Sequence, residues 1–81
     1  MEKTILIKST AGLHAELASK VVQVASKYDV EVKLIYEDKT VDARSILGLM
    51  SLAIPKGTNV QLVATGENAE EAIRSIEKVL M

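Results

Sequence analysis

Two side chains in this 81-residue chain can accept a phosphoryl group in an informative setting, His14 and Ser45. His14 is the only histidine and follows Gly12-Leu13, where a helix is expected to begin. The first amide N–H groups of a helix have no partner inside it, and its dipole favours anions there. A phosphoryl group carried on the imidazole would be held by those donors. The same dipole lowers the imidazole pKa and keeps the ring neutral, as a nucleophile must be. Position alone also fits an ordinary surface histidine ahead of a helix. Ser45 precedes Ile46-Leu47-Gly48-Leu49-Met50. It can cap a short helix, and capping alone would explain it. A phosphate at a helix start would also be tolerated, and the two roles are compatible.

Ile46, Leu47, Leu49 and Met50 are more apolar than one buried stripe of a short helix requires, so some must face outward. Residues 46, 47 and 50 define a face distinct from that of Leu49, and an exposed apolar patch beside a capping serine fits a docking surface as well as a core. The chain has no cysteine, which excludes disulfides, thiolate metal sites and cysteine nucleophiles. There is no glycine-rich phosphate loop, metal-ligand cluster or nucleophile–base pair. No metal, cofactor or independent catalytic site is therefore expected.

The elements that must position these residues follow from the pattern. Lys3 to Lys8 is β-branched and apolar, with Ile5 and Ile7 on one face, and reads as a strand. Ser9 to Gly12 reads as a loop. From Ala15 to Tyr28, Leu17, Ala18, Val21, Val22, Val24, Ala25 and Tyr28 follow the helical period. Val30 to Tyr36 alternates as a half-buried strand, Glu37-Asp38 is a turn, and Lys39 to Ala43 is a short strand. Ser45 then caps a helix from Ile46 to about Leu52, and Pro55-Lys56-Gly57 stops it. Val60, Leu62 and Ala64 alternate as a strand. Asn68 with Glu71 resembles a capping box opening a last helix, striped by Ala69, Ala72, Ile73, Ile76, Val79 and Leu80. The order is β-α-β-β-α-β-α. Alternating strands suit an α+β open-faced sandwich: a four-stranded, mainly antiparallel sheet with three helices on one face.

Composition agrees. The chain is 48% hydrophobic but only 2% aromatic, so the core must be aliphatic. A net charge of −1 and mixed charges give no nucleic-acid footprint. No apolar run reaches the roughly 18 residues a membrane span needs. With no signal-peptide pattern at the N-terminus, a cytoplasmic protein of one domain over 1–81 is expected.

Taken together, Gly12-Leu13-His14-Ala15, the run Arg44-Ser45-Ile46-Leu47-Gly48-Leu49-Met50-Ser51-Leu52, Ala53-Ile54-Pro55-Lys56-Gly57 and Ala64-Thr65-Gly66 resemble the HPr family over essentially the whole chain. These are the histidine-containing phosphocarriers of the bacterial phosphoenolpyruvate-dependent sugar phosphotransferase system. The resemblance implies the same open-faced sandwich. It implies that His14 takes phosphate from enzyme I and passes it to enzyme IIA proteins, and that HPr kinase/phosphorylase modifies Ser45. A catabolite control repressor that binds the phosphoserine form is a further implied partner. The docking residues would be Ile46, Leu47 and Met50, with Leu17 and Arg44 beside them. No nucleic acid or membrane is implied.

One departure stands out. The family motif continues after His-Ala with Arg and usually Pro, whereas this chain has Glu16 and Leu17. That arginine pairs donors with the phosphoryl group and its transition state. Glu16 removes the cation and installs an anion. Exposure and salt reduce the penalty to about 1 kcal/mol or less, and Lys20, one turn on, can pair with Glu16. The sign is clear: loading His14 should be harder here than in other HPr proteins. The alternative is a binding or corepressor module of carbon catabolite control that transfers no phosphate.

Overall fold

The computed structural model describes residues 1–8 and 15–81, with the backbone only of residue 15. The expected loop from Ser9 to Gly12 and the expected acceptor His14 lie outside the described residues. Seven elements follow one another: β1 (Glu2–Leu6), α1 (Ala15–Ala25), β2 (Glu31–Tyr36), β3 (Lys39–Asp42), α2 (Ile46–Leu52), β4 (Asn59–Thr65) and α3 (Ala69–Leu80). The order is the one the hydrophobic periods predict.

The strands lie in the order β1-β4-β2-β3, and each neighbouring pair is antiparallel. Register decides which side chains share a face. Ile5 opposes Val60, Leu62 opposes Leu34, and Ala64 opposes Val32. All six are buried. The helices supply the other half of the core: Leu17, Ala18, Val21 and Ala25 from α1, Leu49 and Leu52 from α2, and Ala72, Ile73, Ile76 and Leu80 from α3. The intervening residues Glu2, Thr4, Glu31, Lys33 and Thr40 are exposed, which is the wet face that alternation predicts. No charged or polar side chain is buried among the described residues.

The structure differs from the expected boundaries in places where local hydrogen bonds decide. The first strand ends at Leu6, yet the Ile7 amide donates to Thr58 and the Lys8 amide to Leu80, so the chain stays tied beyond it. The first helix ends at Ala25 rather than Tyr28. Its last turn tightens: the Lys27 and Tyr28 amides reach back to Val24 and Ala25, three residues away. Tyr28 nevertheless stays on the apolar stripe, and its hydroxyl bonds the Ser75 hydroxyl on α3 at 2.6 Å.

The capping box at Asn68 does not form. Asn68 does occupy the cap of α3, but at ψ 27° its backbone is not extended and its side chain caps nothing. A capping side-chain oxygen typically reaches a free amide of the first turn from an extended cap residue, which Asn68 is not.

Candidate functional site

Ser45 is placed by the two elements it separates. Its backbone is extended, at φ −100° and ψ 103°, and its hydroxyl oxygen accepts the Gly48 amide at 3.1 Å. This is the N-cap that the serine predicts. Gly48 itself sits tightly: a Cβ there would lie 3.1 Å from Ser45 Oγ and 3.3 Å from the Cβ of Val41. The helix start is thus pressed against β3 with room for a hydrogen there and little more.

The far end of α2 is closed by Ala53 in the left-handed region, at φ 49°, whose amide donates to Met50. Between these caps the helix separates its apolar residues cleanly. Leu49 is fully buried and Leu52 is buried. Leu47 is 79% exposed, Met50 41% and Ile46 40%. The outward residues are the three that helical geometry assigns to a face away from Leu49. Leu17 departs from expectation. It is only 7% exposed and belongs to the inward stripe of α1 with Ala18 and Val21. As the chain stands, it supports the core and offers no surface to a partner.

Charge around Ser45 is sparse. Arg44 is exposed, and its Nε lies 3.6 Å from Asp42 Oδ1. In the first turn of α1, Glu16 points into solvent with its side chain 88% exposed. Its carboxylate is 3.8 Å from the Lys20 ammonium, a loose, exposed pair of the kind that contributes little. Tyr36 closes β2 beside the turn where Glu37 takes a left-handed φ of 57°. Partial burial, and then the Glu37 carboxylate, hold its phenol above the usual tyrosine range. Among the described residues no cluster of carboxylates or imidazoles could hold a metal ion, and no helix is long and apolar enough to cross a membrane.

A capping serine with an outward apolar face, on a helix-covered four-stranded sheet, defines a small α+β sandwich domain. The comparisons give the class its name. The family described as PTS HPr component phosphorylation site matches residues 1–81. HPr-C-His from Thermoanaerobacter tengcongensis is 41% identical, at TM-score 0.93, over 99% of this chain and 90% of its own. The phosphocarrier protein HPr from Bacillus anthracis str. Ames is 32% identical, at TM-score 0.96, over 100% of this chain and 96% of its own. Crh, the Bacillus subtilis catabolite repression protein, in a structure described as a swapped dimer, is 38% identical at TM-score 0.79 over 94% of this chain and 87% of its own. This chain belongs to the HPr family. Membership supports a phosphocarrier or regulatory role in the phosphotransferase system and catabolite control.

Proposed function

We propose that this chain is a cytoplasmic HPr-type phosphoacceptor, acting as one unit over 1–81, whose dominant modification is at Ser45 and whose transfer through His14 is slow. The observation that carries the reading is the arrangement at α2: Ser45 as its cap, and Ile46, Leu47 and Met50 facing solvent directly after it. Their exposure leaves much of these three side chains outside the core, and recognition by a partner gives that surface a role.

The His14 half of the reading rests on the family. In transfer, an imidazole nitrogen forms a bond to phosphorus as the bond to the enzyme I donor breaks. The group then passes on to an enzyme IIA protein. Glu16 stands two residues from His14 in sequence, exposed, where the family supplies an arginine. It offers no donor to the phosphoryl oxygens and repels them. Lys20, held loosely at 3.8 Å, offsets part of that charge.

A second reading is favoured by the same glutamate and by the likeness to Crh. In it the chain serves catabolite control as a corepressor, bound by a repressor once HPr kinase/phosphorylase has modified Ser45, and carries no phosphate to sugars. One experiment separates the two. The protein is incubated with enzyme I and phosphoenolpyruvate, and separately with HPr kinase and ATP, and intact mass is followed over time. Fast modification at Ser45 with slow modification at His14 is expected. Complete absence of the His14 product selects the corepressor reading, and absence of modification at Ser45 overturns both.

A further inference from the structure

We infer that Asp42 is a positioning residue for the modification of Ser45, an inference that rests on the reading of Ser45 as a phosphoacceptor. Strand β3 ends at Asp42 and α2 begins at Ile46, so only Ala43, Arg44 and Ser45 carry the chain from sheet to helix. Asp42 holds this short turn by three interactions through two of its oxygens. Its carbonyl accepts the Ser45 amide at 3.0 Å. Its Oδ1 accepts the Arg44 amide at 2.8 Å. The same oxygen draws the Arg44 guanidinium to 3.6 Å. The middle of the turn is pinned separately, because Ala43 is fully buried and its amide donates to the Val32 carbonyl at 2.9 Å.

The carboxylate is not needed to fill or seal anything. Asp42 is half exposed, and its cross-strand neighbour on β2 is Lys33, which itself pairs with Glu31 at 3.2 Å. What the carboxylate does is satisfy the Arg44 amide and fix the backbone immediately before the acceptor. Ser45 is then presented in one extended conformation, with its hydroxyl part-buried and one lone pair engaged by Gly48.

The reaction asks for that order. Ser45 Oγ forms a bond to the γ-phosphorus of ATP as the bond to the β–γ bridging oxygen breaks. ADP leaves, and the hydroxyl proton passes to a base on the kinase. The enzyme must hold the acceptor oxygen within near-attack distance of phosphorus. A substrate whose turn is preset spares the ordering of about one residue on binding, which corresponds to about tenfold in kcat/KM.

The test compares the wild-type protein, D42N and D42A as substrates of HPr kinase with ATP, with the modified residue mapped and melting recorded for each. Asparagine keeps an oxygen for the Arg44 amide and loses the charge; alanine loses both. D42N is expected to be phosphorylated within about twofold of wild type, and D42A about tenfold more slowly through a raised KM. If D42A melts early, rates are taken below its transition and normalised to the folded fraction seen by circular dichroism. Equal rates for D42A and wild type, both mapped to Ser45, would overturn the inference and leave the Ser45 reading intact. D42N as slow as D42A would also overturn it, because charge and not the turn would then govern. Wild-type protein left unmodified at Ser45 removes the underlying reading, and the inference with it.

Discussion

At the scale of single residues, Glu16 decides most. It is chemically ordinary, exposed and loosely paired with Lys20, and its significance rests on the proposed role of His14, two residues before it in sequence, where an anion would stand in place of a donor. The replacement is expected to slow enzyme I-dependent loading of His14. Glu16→Arg should raise that rate by at least about fivefold, the equivalent of about 1 kcal/mol of transition-state stabilisation. Quench-flow or gel-shift kinetics with enzyme I and phosphoenolpyruvate measure it, and equal rates for the two proteins would mean that another cation supplies the charge. Residue types of this kind were legible in the sequence because a formal charge needs no fold to be counted. Residue partners were not. Lys3 reaches Glu77 at 2.8 Å from the far end of the chain, and Tyr28 reaches Ser75. Neither separation leaves a periodic trace. Leu17 shows the other limit: apolar and next to Glu16, it fits a surface patch and a core stripe equally until the roll of α1 is fixed.

At the scale of elements, the two helix starts that sequence marks with capping residues behave differently, and the difference is measurable. Ser45 caps α2 by accepting the Gly48 amide, whereas Asn68 occupies the cap of α3 without using its side chain. Ser45→Ala should therefore destabilise the protein by about 1 kcal/mol, within the usual range for a lost cap. In a chain of this size that lowers the melting temperature by roughly 4–8 °C. Asn68→Ala should cost under about 0.5 kcal/mol, because no side-chain bond is lost. Thermal melts of the two variants side by side would refute the distinction if their losses were equal. The bounds of α2 were legible because a serine opens it and proline and glycine stand just beyond its end, and the same seven residues form the observed helix. The end of α1 was not, since Tyr28 continues the apolar period after the hydrogen bonding has tightened to three residues. The division of α2 into an inner Leu49 and an outer Ile46, Leu47 and Met50 has its own consequence. Met50→Asp should leave the melting temperature within a few degrees of the parent, since Met50 is 41% exposed. It should weaken HPr kinase and enzyme I binding by about tenfold or more, as loss of an apolar anchor does. Titration calorimetry and a melting curve read the two effects separately, and cooperative unfolding lost in the variant would place Met50 in the core instead.

At the scale of the whole molecule, the sheet order β1-β4-β2-β3 is what sequence left open. Alternation assigns each strand a face but no neighbour. The neighbours are set by long-range closures: the N-terminal ammonium donates to the Ala64 carbonyl at 2.8 Å, and the Gly57 amide donates to the Ile7 carbonyl at 2.7 Å. The first ties the N-terminus to β4, and the Lys8 amide's bond to the Leu80 carbonyl ties the end of α3 to the segment after β1, at the opposite edge of the strand order from β3, while Ser45 follows β3 directly. Modification of Ser45 should therefore leave the closures, and the global fold, alone. Its effect should fall on association. The chain carries a formal net charge of −1, and a phosphate adds nearly two more negative charges next to Ile46, Leu47 and Met50. Arg44 is the nearest cation in sequence, and it is already drawn toward Asp42 at 3.6 Å. A partner that covers the apolar patch with neutral or acidic surface is then repelled, and one that rings an apolar pocket with arginines is recruited. Ser45→Asp should reproduce the repulsion better than the recruitment, because a carboxylate carries less charge and fewer acceptor oxygens. The phosphorylated protein, Ser45→Asp and the parent should melt within a few degrees of one another, since the added anion meets the free amides at the start of α2. In binding measurements across a salt series, repulsion from enzyme I should shrink as ionic strength rises in both modified forms. Recruitment by an arginine-rich partner should appear only with phosphate. A melting temperature that collapses on phosphorylation would show that the serine hydroxyl is needed as a cap and that its modification unfolds the helix it opens.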